Sequence, residues 1–85
     1  MNEVVVDLRT REEYAKGHLS ESVNIPHTEF IEKAHRGELD KDTSYLLHCR
    51  SGGRVGIVME EVKDLQLQNI QERFNEYARE HPESL

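Results

Sequence analysis

The feature that most constrains the fold is the alternation of short apolar runs with segments of helical periodicity. Residues 3–9 (EVVVDLR) have the pattern of a strand buried on both faces. Residues 22–25 (SVNI) predict a second, short strand, and residues 44–48 (SYLLH) predict a third, buried strand. A weaker run at 67–70 predicts a fourth strand. Because strands that alternate with helices form parallel sheets, we expect an α/β fold with a small parallel β-sheet flanked by helices.

Two helices in the first half of the chain are predicted from their caps. Thr10 and Glu13 have the spacing of a capping box, so we expect a short helix that ends at Gly17, a residue suited to a left-handed C-cap. Thr28 is the expected N-cap of a second helix, which ends at Gly37. These caps place one helix after each of the first two strands.

The strongest helical pattern lies between residues 54 and 65. Its apolar residues recur at the spacing of one helix face: Val55, Val58, Met59, Val62 and Leu65. A last, polar helix follows the fourth strand, and we expect it to fray near Pro82. Ligands of parallel α/β sheets bind beyond the carboxyl ends of the strands, so we expect Asp7, Asn24 and Cys49 near one edge.

Length and composition limit the classes of protein to which the chain can belong. Its 85 residues fit one domain, 1–85, with a thin core, because hydrophobic residues make up only 35%. The formal net charge of −6 argues against nucleic-acid binding, which needs a basic face. No apolar run is long enough for a membrane span and no signal-peptide pattern is present. We therefore expect a cytoplasmic protein, or a periplasmic one if a signal peptide has been removed.

The only cysteine, Cys49, lies at the end of the third strand, before a glycine-rich loop and the strongest helix. One cysteine excludes an internal disulfide and zinc sites built on cysteine pairs. The glycines let successive N–H groups point inward as an anion-binding nest, while the helix dipole and two arginines add positive potential. These features favour a thiolate and an anionic substrate above it. The predicted nucleophile is Cys49, and the predicted substrate-binding residues are Arg50, Ser51, Gly52, Gly53 and Arg54.

Three blocks of the sequence resemble the rhodanese family of sulfurtransferases. The first is a hydrophobic strand followed by Asp7–Arg9 (DLR), and the second is Glu13–Leu19 (EYAKGHL), followed by Asn24–Pro26 (NIP). The third is the loop Cys49–Arg54 (CRSGGR). In this order the blocks span residues 4–65, and the ordered set is specific where each block alone is weak. The resemblance is closest to small single-domain rhodaneses.

The resemblance implies a thiosulfate sulfurtransferase with a rhodanese-like fold. Cys49 attacks the outer sulfur of thiosulfate or a similar small anionic donor, sulfite leaves, and a persulfide forms on Cys49. A thiophilic acceptor then removes the sulfur; cyanide, a thiol or a thiol-bearing protein could serve. Arg50 and Arg54 bind the dianionic donor through charge-assisted hydrogen bonds. No cofactor, metal, nucleic acid or membrane is expected to take part.

The chain departs from the family pattern at several places. The strand and helix that usually precede the first block have no counterpart, so we expect a sheet smaller than the family norm. Glu21 stands where many members have Gly, and Val55 stands where a Ser or Thr often follows the loop arginine. Residues 71–73 (QER) replace a usual Gly-Gly pair.

Two other functions remain open at this stage. Cysteine phosphatases also carry a His-Cys pair, but five residues separate their cysteine from the arginine, whereas Arg54 is itself the fifth residue after Cys49. The loop is thus one residue short for wrapping a tetrahedral phosphate. The second alternative is a noncatalytic rhodanese-like binding or regulatory module. Such modules commonly lose the cysteine, which this chain keeps.

The charged residues around the first strand are interpreted as structural. Asp7 and Arg9 close the strand, and Arg9 is expected to pair with Glu12 or Glu13 of the following helix. We expect neither Asp7 nor Arg9 to carry out the chemistry at Cys49.

The histidines are not expected to act in catalysis or to bind metal. His18 is expected to pack and form hydrogen bonds in its turn. His48 adjoins Cys49 in a strand, so the two side chains should point to opposite faces. That arrangement would prevent His48 from acting as the base for Cys49.

Overall fold

Four strands alternate with four helices in a computed structural model that describes residues 2–85. In chain order the elements are β1 (Asn2–Asp7), α1 (Arg11–Ala15), β2 (Ser22–Asn24), α2 (His27–His35), β3 (Thr43–His48), α3 (Gly53–Glu61), β4 (Gln66–Asn69) and α4 (Gln71–Glu80), followed by a 3₁₀ turn (Pro82–Ser84). No helix in this part of the chain is long and apolar enough to cross a membrane.

The four strands form one parallel sheet in the order β2-β1-β3-β4. Asp7 of β1 lies opposite both Asn24 of β2 and His48 of β3. The carboxyl ends of these strands therefore meet at one edge, and Cys49 follows β3 directly at that edge. This confirms the predicted α/β fold and the expected placement of Asp7, Asn24 and Cys49.

Side chains from both faces of the sheet are buried. On one face, α2 and α3 pack on the strands through nine buried residues, namely Val6, Leu8, Phe30, Tyr45, Leu47, Cys49, Val55, Val58 and Val62. On the other face, α4 packs through Phe74 and Ala78 against Val5, Leu19 and Leu46. The alternation of Leu46 and Leu47 between the two clusters follows from the two-residue period of a strand.

Two helix boundaries differ from those predicted. Thr28 lies inside α2 and does not cap it; the N-cap is Pro26, whose carbonyl accepts from the Phe30 N–H at 2.9 Å. The helix α3 ends at Glu61, because Val62 takes an extended conformation (φ −118°, ψ 107°) and leads the chain back to β4. Val62 is still buried in the core, and for that reason the apolar spacing in the sequence extends beyond the end of the helix.

The C-terminal segment does not fray near Pro82, contrary to the prediction. Residues after α4 form a 3₁₀ turn in which Ser84 is fully buried. The backbone carbonyl of Ser84 accepts a hydrogen bond from Arg9 Nη1 at 2.8 Å. A buried cation that needs acceptors therefore holds this polar segment in place.

Candidate active site

The thiol of Cys49 lies at the start of the loop between β3 and α3, with only 1% of the residue exposed. The backbone N–H of Gly52 donates to Cys49 Sγ at an N···S distance of 3.0 Å. Gly52 reaches this position with φ 99°, a left-handed conformation that costs glycine little and other residues more. The local turn thus aims a backbone N–H at the sulfur, as the predicted chemistry requires.

Further unpaired donors lie in the loop that joins the thiol to the N-terminus of α3. The N–H groups of Arg50, Ser51, Gly53 and Arg54 have no acceptor among residues 2–85. The positive end of the α3 dipole lies at the same place. This loop can therefore receive negative charge from a ligand.

A cavity of about 390 Å³ opens beside the loop. It is lined by Cys49, Arg50, Ser51, Gly53, Arg54 and Ile57. The structure thus brings the predicted nucleophile together with four of the five predicted substrate-binding residues. The fifth, Gly52, contacts the sulfur itself.

The two loop arginines have different surroundings. Arg50 is exposed and forms no ion pair with any residue that the structure describes. Arg54 is held by Glu13 of α1, with 2.8 Å between Nη1 and Oε1. Burial raises the pKa of Glu13, but the hydrogen bonds from Arg54 and Thr10 outweigh burial and hold the pKa at about 2. Glu13 is therefore ionised and offsets the charge of Arg54.

His48 lies on the opposite side of β3 from the thiol, as predicted. Its ring stacks on Phe74 of α4, with 4.4 Å between centroids, and Nδ1 donates to the Cys49 carbonyl at 3.4 Å. Burial lowers the pKa of His48, so the ring is neutral near pH 7. Its Nε2 has no hydrogen-bond partner among the described residues. Nothing in this geometry lets His48 take a proton from Cys49.

Arg9 pairs with Asp7, and the predicted pairing with Glu12 or Glu13 is wrong. Arg9 Nη2 donates to Asp7 Oδ2 at 2.8 Å, and both side chains are fully buried. Arg9 does not pair with a carboxylate of α1, because its guanidinium turns inward. There its remaining donors reach the carbonyls of Gly17 and Ser84. The interpretation of Asp7 and Arg9 as structural residues agrees with this burial.

His18 packs and forms a hydrogen bond, as expected. Its ring stacks on Tyr14, with centroids 3.6 Å apart, and Nδ1 donates to the Tyr14 carbonyl at 2.8 Å. Within residues 2–85, no cluster of three or more His, Cys, Asp or Glu side chains could hold a metal ion.

Gln71, the first residue of α4, contacts the site, although it was not among the predicted site residues. Its Oε1 accepts from the Cys49 N–H at 2.8 Å, although 22 positions separate the two residues. The available signal was the position of Gln71 just after the last strand, at the edge where ligands of parallel sheets bind. In addition, Arg73 pairs with Glu21, so two departures from the family pattern contact each other.

Comparisons with known proteins agree with this fold. The family profile described as "Rhodanese-like domain" matches residues 1–75. A rhodanese-related protein from Thermoplasma volcanium has 28% sequence identity and a TM-score of 0.69, and the match covers 81% of this chain and 69% of that one. A protein from Staphylococcus saprophyticus subsp. saprophyticus shares the fold, with a TM-score of 0.69 at 23% identity, over 80% of this chain and 68% of that one.

No curated protein matches the chain by sequence. The family assignment therefore stands on the profile, the shared fold and the cysteine loop at the carboxyl edge of the sheet. The profile match takes in every strand, the whole loop and the first turn of α4. This chain belongs to the rhodanese-like domain family.

Proposed function

We propose that this protein is a thiosulfate sulfurtransferase that works through a persulfide on Cys49. The observation that carries the proposal is the position of the only thiol, which accepts the Gly52 N–H and lines a cavity with Arg50 and Arg54. A buried cysteine that served only packing would need neither the arginines nor the open N–H groups. The donor class follows from the loop, since its free donors and the exposed Arg50 suit a small dianion.

The first step moves one sulfur atom onto the protein. The Cys49 thiolate attacks the outer sulfur of thiosulfate, a new S–S bond forms at Sγ, and the S–S bond of thiosulfate breaks. Sulfite leaves with the electron pair of that bond, and the persulfide keeps one negative charge. The Gly52 N–H and the positive end of the α3 dipole lie beside this charge and can stabilise it.

The second step returns the thiolate. A thiolate or cyanide acceptor attacks the outer sulfur of the persulfide, and Cys49 Sγ leaves as the thiolate with the bonding electron pair. The acceptor departs as a new persulfide or as thiocyanate. No oxidant or reductant is consumed, and ping-pong kinetics are expected because the donor product leaves before the acceptor reacts.

Substitution of the nucleophile tests this proposal. Cys49→Ser should abolish sulfur transfer and leave the thermal unfolding of the protein close to wild type, because Ser is close in size but cannot form a persulfide. Intact-protein mass spectrometry after incubation with thiosulfate should show one added sulfur atom in the wild type and none in the variant. A variant that kept more than a few per cent of the activity would refute the mechanism.

The same experiment separates the alternatives. A wild-type protein that neither gains sulfur nor turns over thiosulfate, but is folded, would be a noncatalytic binding module. Hydrolysis of a small aryl phosphate without sulfur uptake would instead identify a cysteine phosphatase.

A further inference from the structure

We infer that Gln71 is a positioning residue for Cys49: its side-chain amide fixes the Cys49 peptide so that Sγ meets the Gly52 N–H. The inference rests on the proposed sulfur transfer at Cys49 and adds a residue from outside the cysteine loop. Gln71 belongs to α4, which otherwise packs on the opposite face of the sheet from α3.

The amide of Gln71 pairs with both polar groups of the Cys49 backbone. Its Oε1 accepts from the Cys49 N–H at 2.8 Å, and its Nε2 donates to the Cys49 carbonyl at 2.9 Å. The same Nε2 lies 3.1 Å from the carbonyl of Arg50. Within the sheet, a neighbouring strand pairs with the backbone N–H and C=O of each residue. Just after the end of β3, the Gln71 side chain pairs with these two groups of Cys49 instead.

Gln71 also lies beside the donor of the N–H···S hydrogen bond. A Cβ placed on Gly52 would lie 3.6 Å from Gln71 Cγ, so the stem of Gln71 is about one methyl group away from the glycine that donates to Sγ. The same side chain is thus hydrogen-bonded to the Cys49 backbone and lies next to Gly52. A shift of Gln71 would move the thiol and its donor relative to each other.

Gln71 is itself held from two directions. Its backbone N–H donates to Asn69 Oδ1 at 2.8 Å, and its Nε2 lies 3.0 Å from Asn75 Oδ1, one turn further along α4. The residue is 9% exposed, so water does not readily replace these contacts. The Cys49 N–H and the carbonyls of Cys49 and Arg50 set the orientation of the amide, and Asn75 Oδ1 is a further acceptor beside Nε2.

Two substitutions remove the amide while keeping a side chain of similar length. Gln71→Met keeps the aliphatic stem and loses all polar contacts of the side chain. Gln71→Glu keeps an acceptor for the Cys49 N–H but places a carboxylate against the three oxygens that now accept from Nε2. We expect each to lower kcat for thiosulfate by about ten- to a hundredfold, the scale of a misplaced reacting group. KM should stay within about threefold, because the arginines that bind the anion are unchanged.

Alkylation of Cys49 by iodoacetamide gives a readout that a loss of stability alone would not move. In the folded Gln71 variants the pH profile of alkylation should shift to higher pH, since the thiolate loses its aligned donor. The matched controls are Gln68→Met and Gln68→Glu, made at an exposed residue of β4. They should leave both kcat and the alkylation profile at wild-type values.

The outcomes distinguish a failure of this inference from a failure of the proposed function. If the wild type gains no sulfur from thiosulfate, the proposed function fails, yet the alkylation profiles still test whether Gln71 positions the thiol. Folded Gln71 variants that match the Gln68 controls in kcat and in alkylation would overturn the inference. If neither Gln71 variant folds, Asn75→Ala removes one of the three acceptors beside Nε2 and leaves Gln71 in place. It should shift the same two readouts by a smaller amount, and no shift would overturn the inference.

Discussion

At the scale of single residues, the two arginines of the loop are not equivalent. Arg50 is exposed and has no ion-pair partner in the described chain, whereas Arg54 is bound to Glu13 at 2.8 Å. A guanidinium that is already paired with a carboxylate has fewer free N–H donors and less net positive charge for an incoming anion than an unpaired guanidinium has. In the proposed sulfur transfer, we therefore expect Arg50 to contribute more than Arg54 to binding of the donor.

Arg50→Ala should mainly raise KM for thiosulfate. Losing a charge-assisted contact corresponds to about a ten- to hundredfold loss in affinity, and kcat should change little. The matched control is Arg36→Ala, which removes the same charge at the C-terminal end of α2, away from the cysteine loop. Steady-state kinetics with thiosulfate and with a neutral sulfur donor make the measurement. An equal loss with both donors would show that Arg50 supports the loop and does not bind the anion.

At the scale of elements, the ion pair between Glu13 and Arg54 ties α1 to α3. The residues are 41 positions apart, and both side chains are partly buried. Glu13 also completes the capping box of α1, since its Oε1 accepts from the Thr10 N–H at 2.9 Å. One carboxylate thus caps the shortest helix and orients the last residue of the cysteine loop.

The low pKa of Glu13 makes this contribution depend on pH. Folding lowers the pKa of Glu13 from 4.5 to about 2, so its carboxylate stabilises the protein above pH 4.5 and loses that effect as the pH falls towards 2. Glu13→Gln should therefore unfold at a lower temperature than wild type at pH 7, with the difference shrinking between pH 4.5 and pH 2. Thermal melts across this range make the measurement.

The control for this prediction is Glu12→Gln, at an exposed neighbour on the same helix. It should unfold like wild type throughout the range. Glu13→Gln should also lower KM for thiosulfate, because Arg54 is released to bind the donor. A constant difference in melting temperature from pH 7 to pH 2 would contradict the proposed role of the carboxylate.

At the scale of the whole molecule, a buried network around Arg9 joins the beginning of the chain to its end. Arg9 binds Asp7 at the end of β1, the carbonyl of Gly17 after α1, and the carbonyl of Ser84 in the final 3₁₀ turn. Its guanidinium also lies 4.6 Å from the centroid of Phe74, the ring that stacks on His48. The C-terminal turn is therefore part of the folded domain.

Gly17→Ala should destabilise the protein by disturbing this junction. Gly17 has φ 149°, and an added Cβ would meet Ser84 Cβ at 2.6 Å, so the final turn must move. We expect the free energy of unfolding to fall by about 1–3 kcal/mol, as for other overpacked sites. Denaturation by urea makes the measurement.

The matched control for Gly17 is Gly56→Ala, at an exposed position inside α3 where no atom lies within 4 Å of an added Cβ. Alanine is the better helix former, so this substitution should raise the free energy of unfolding by about 0.5–1 kcal/mol. Equal stability of Gly17→Ala and wild type would show that the last turn does not pack against Gly17.

Local pattern determined the elements of this protein and pointed to Cys49 as the proposed nucleophile. Apolar runs of strand length and a helix face from Val55 to Val62 are visible over a few residues, because periodicity reflects which side of one element is buried. The thiol, the glycines and the arginines of the loop are likewise neighbours in sequence. They line one cavity because β3 ends and α3 begins within this short segment.

Tertiary structure alone decided which distant side chains complete the site. Gln71 is 22 positions from Cys49, Glu13 is 41 from Arg54, and Ser84 is 75 from Arg9. Each pair forms because the strand order β2-β1-β3-β4 and the parallel direction bring particular strand ends and helix starts to one edge. The residues next to a polar side chain in sequence do not indicate its distant partner. The partner is decided when the two groups are buried together at that edge, because a buried polar group without a hydrogen bond is costly.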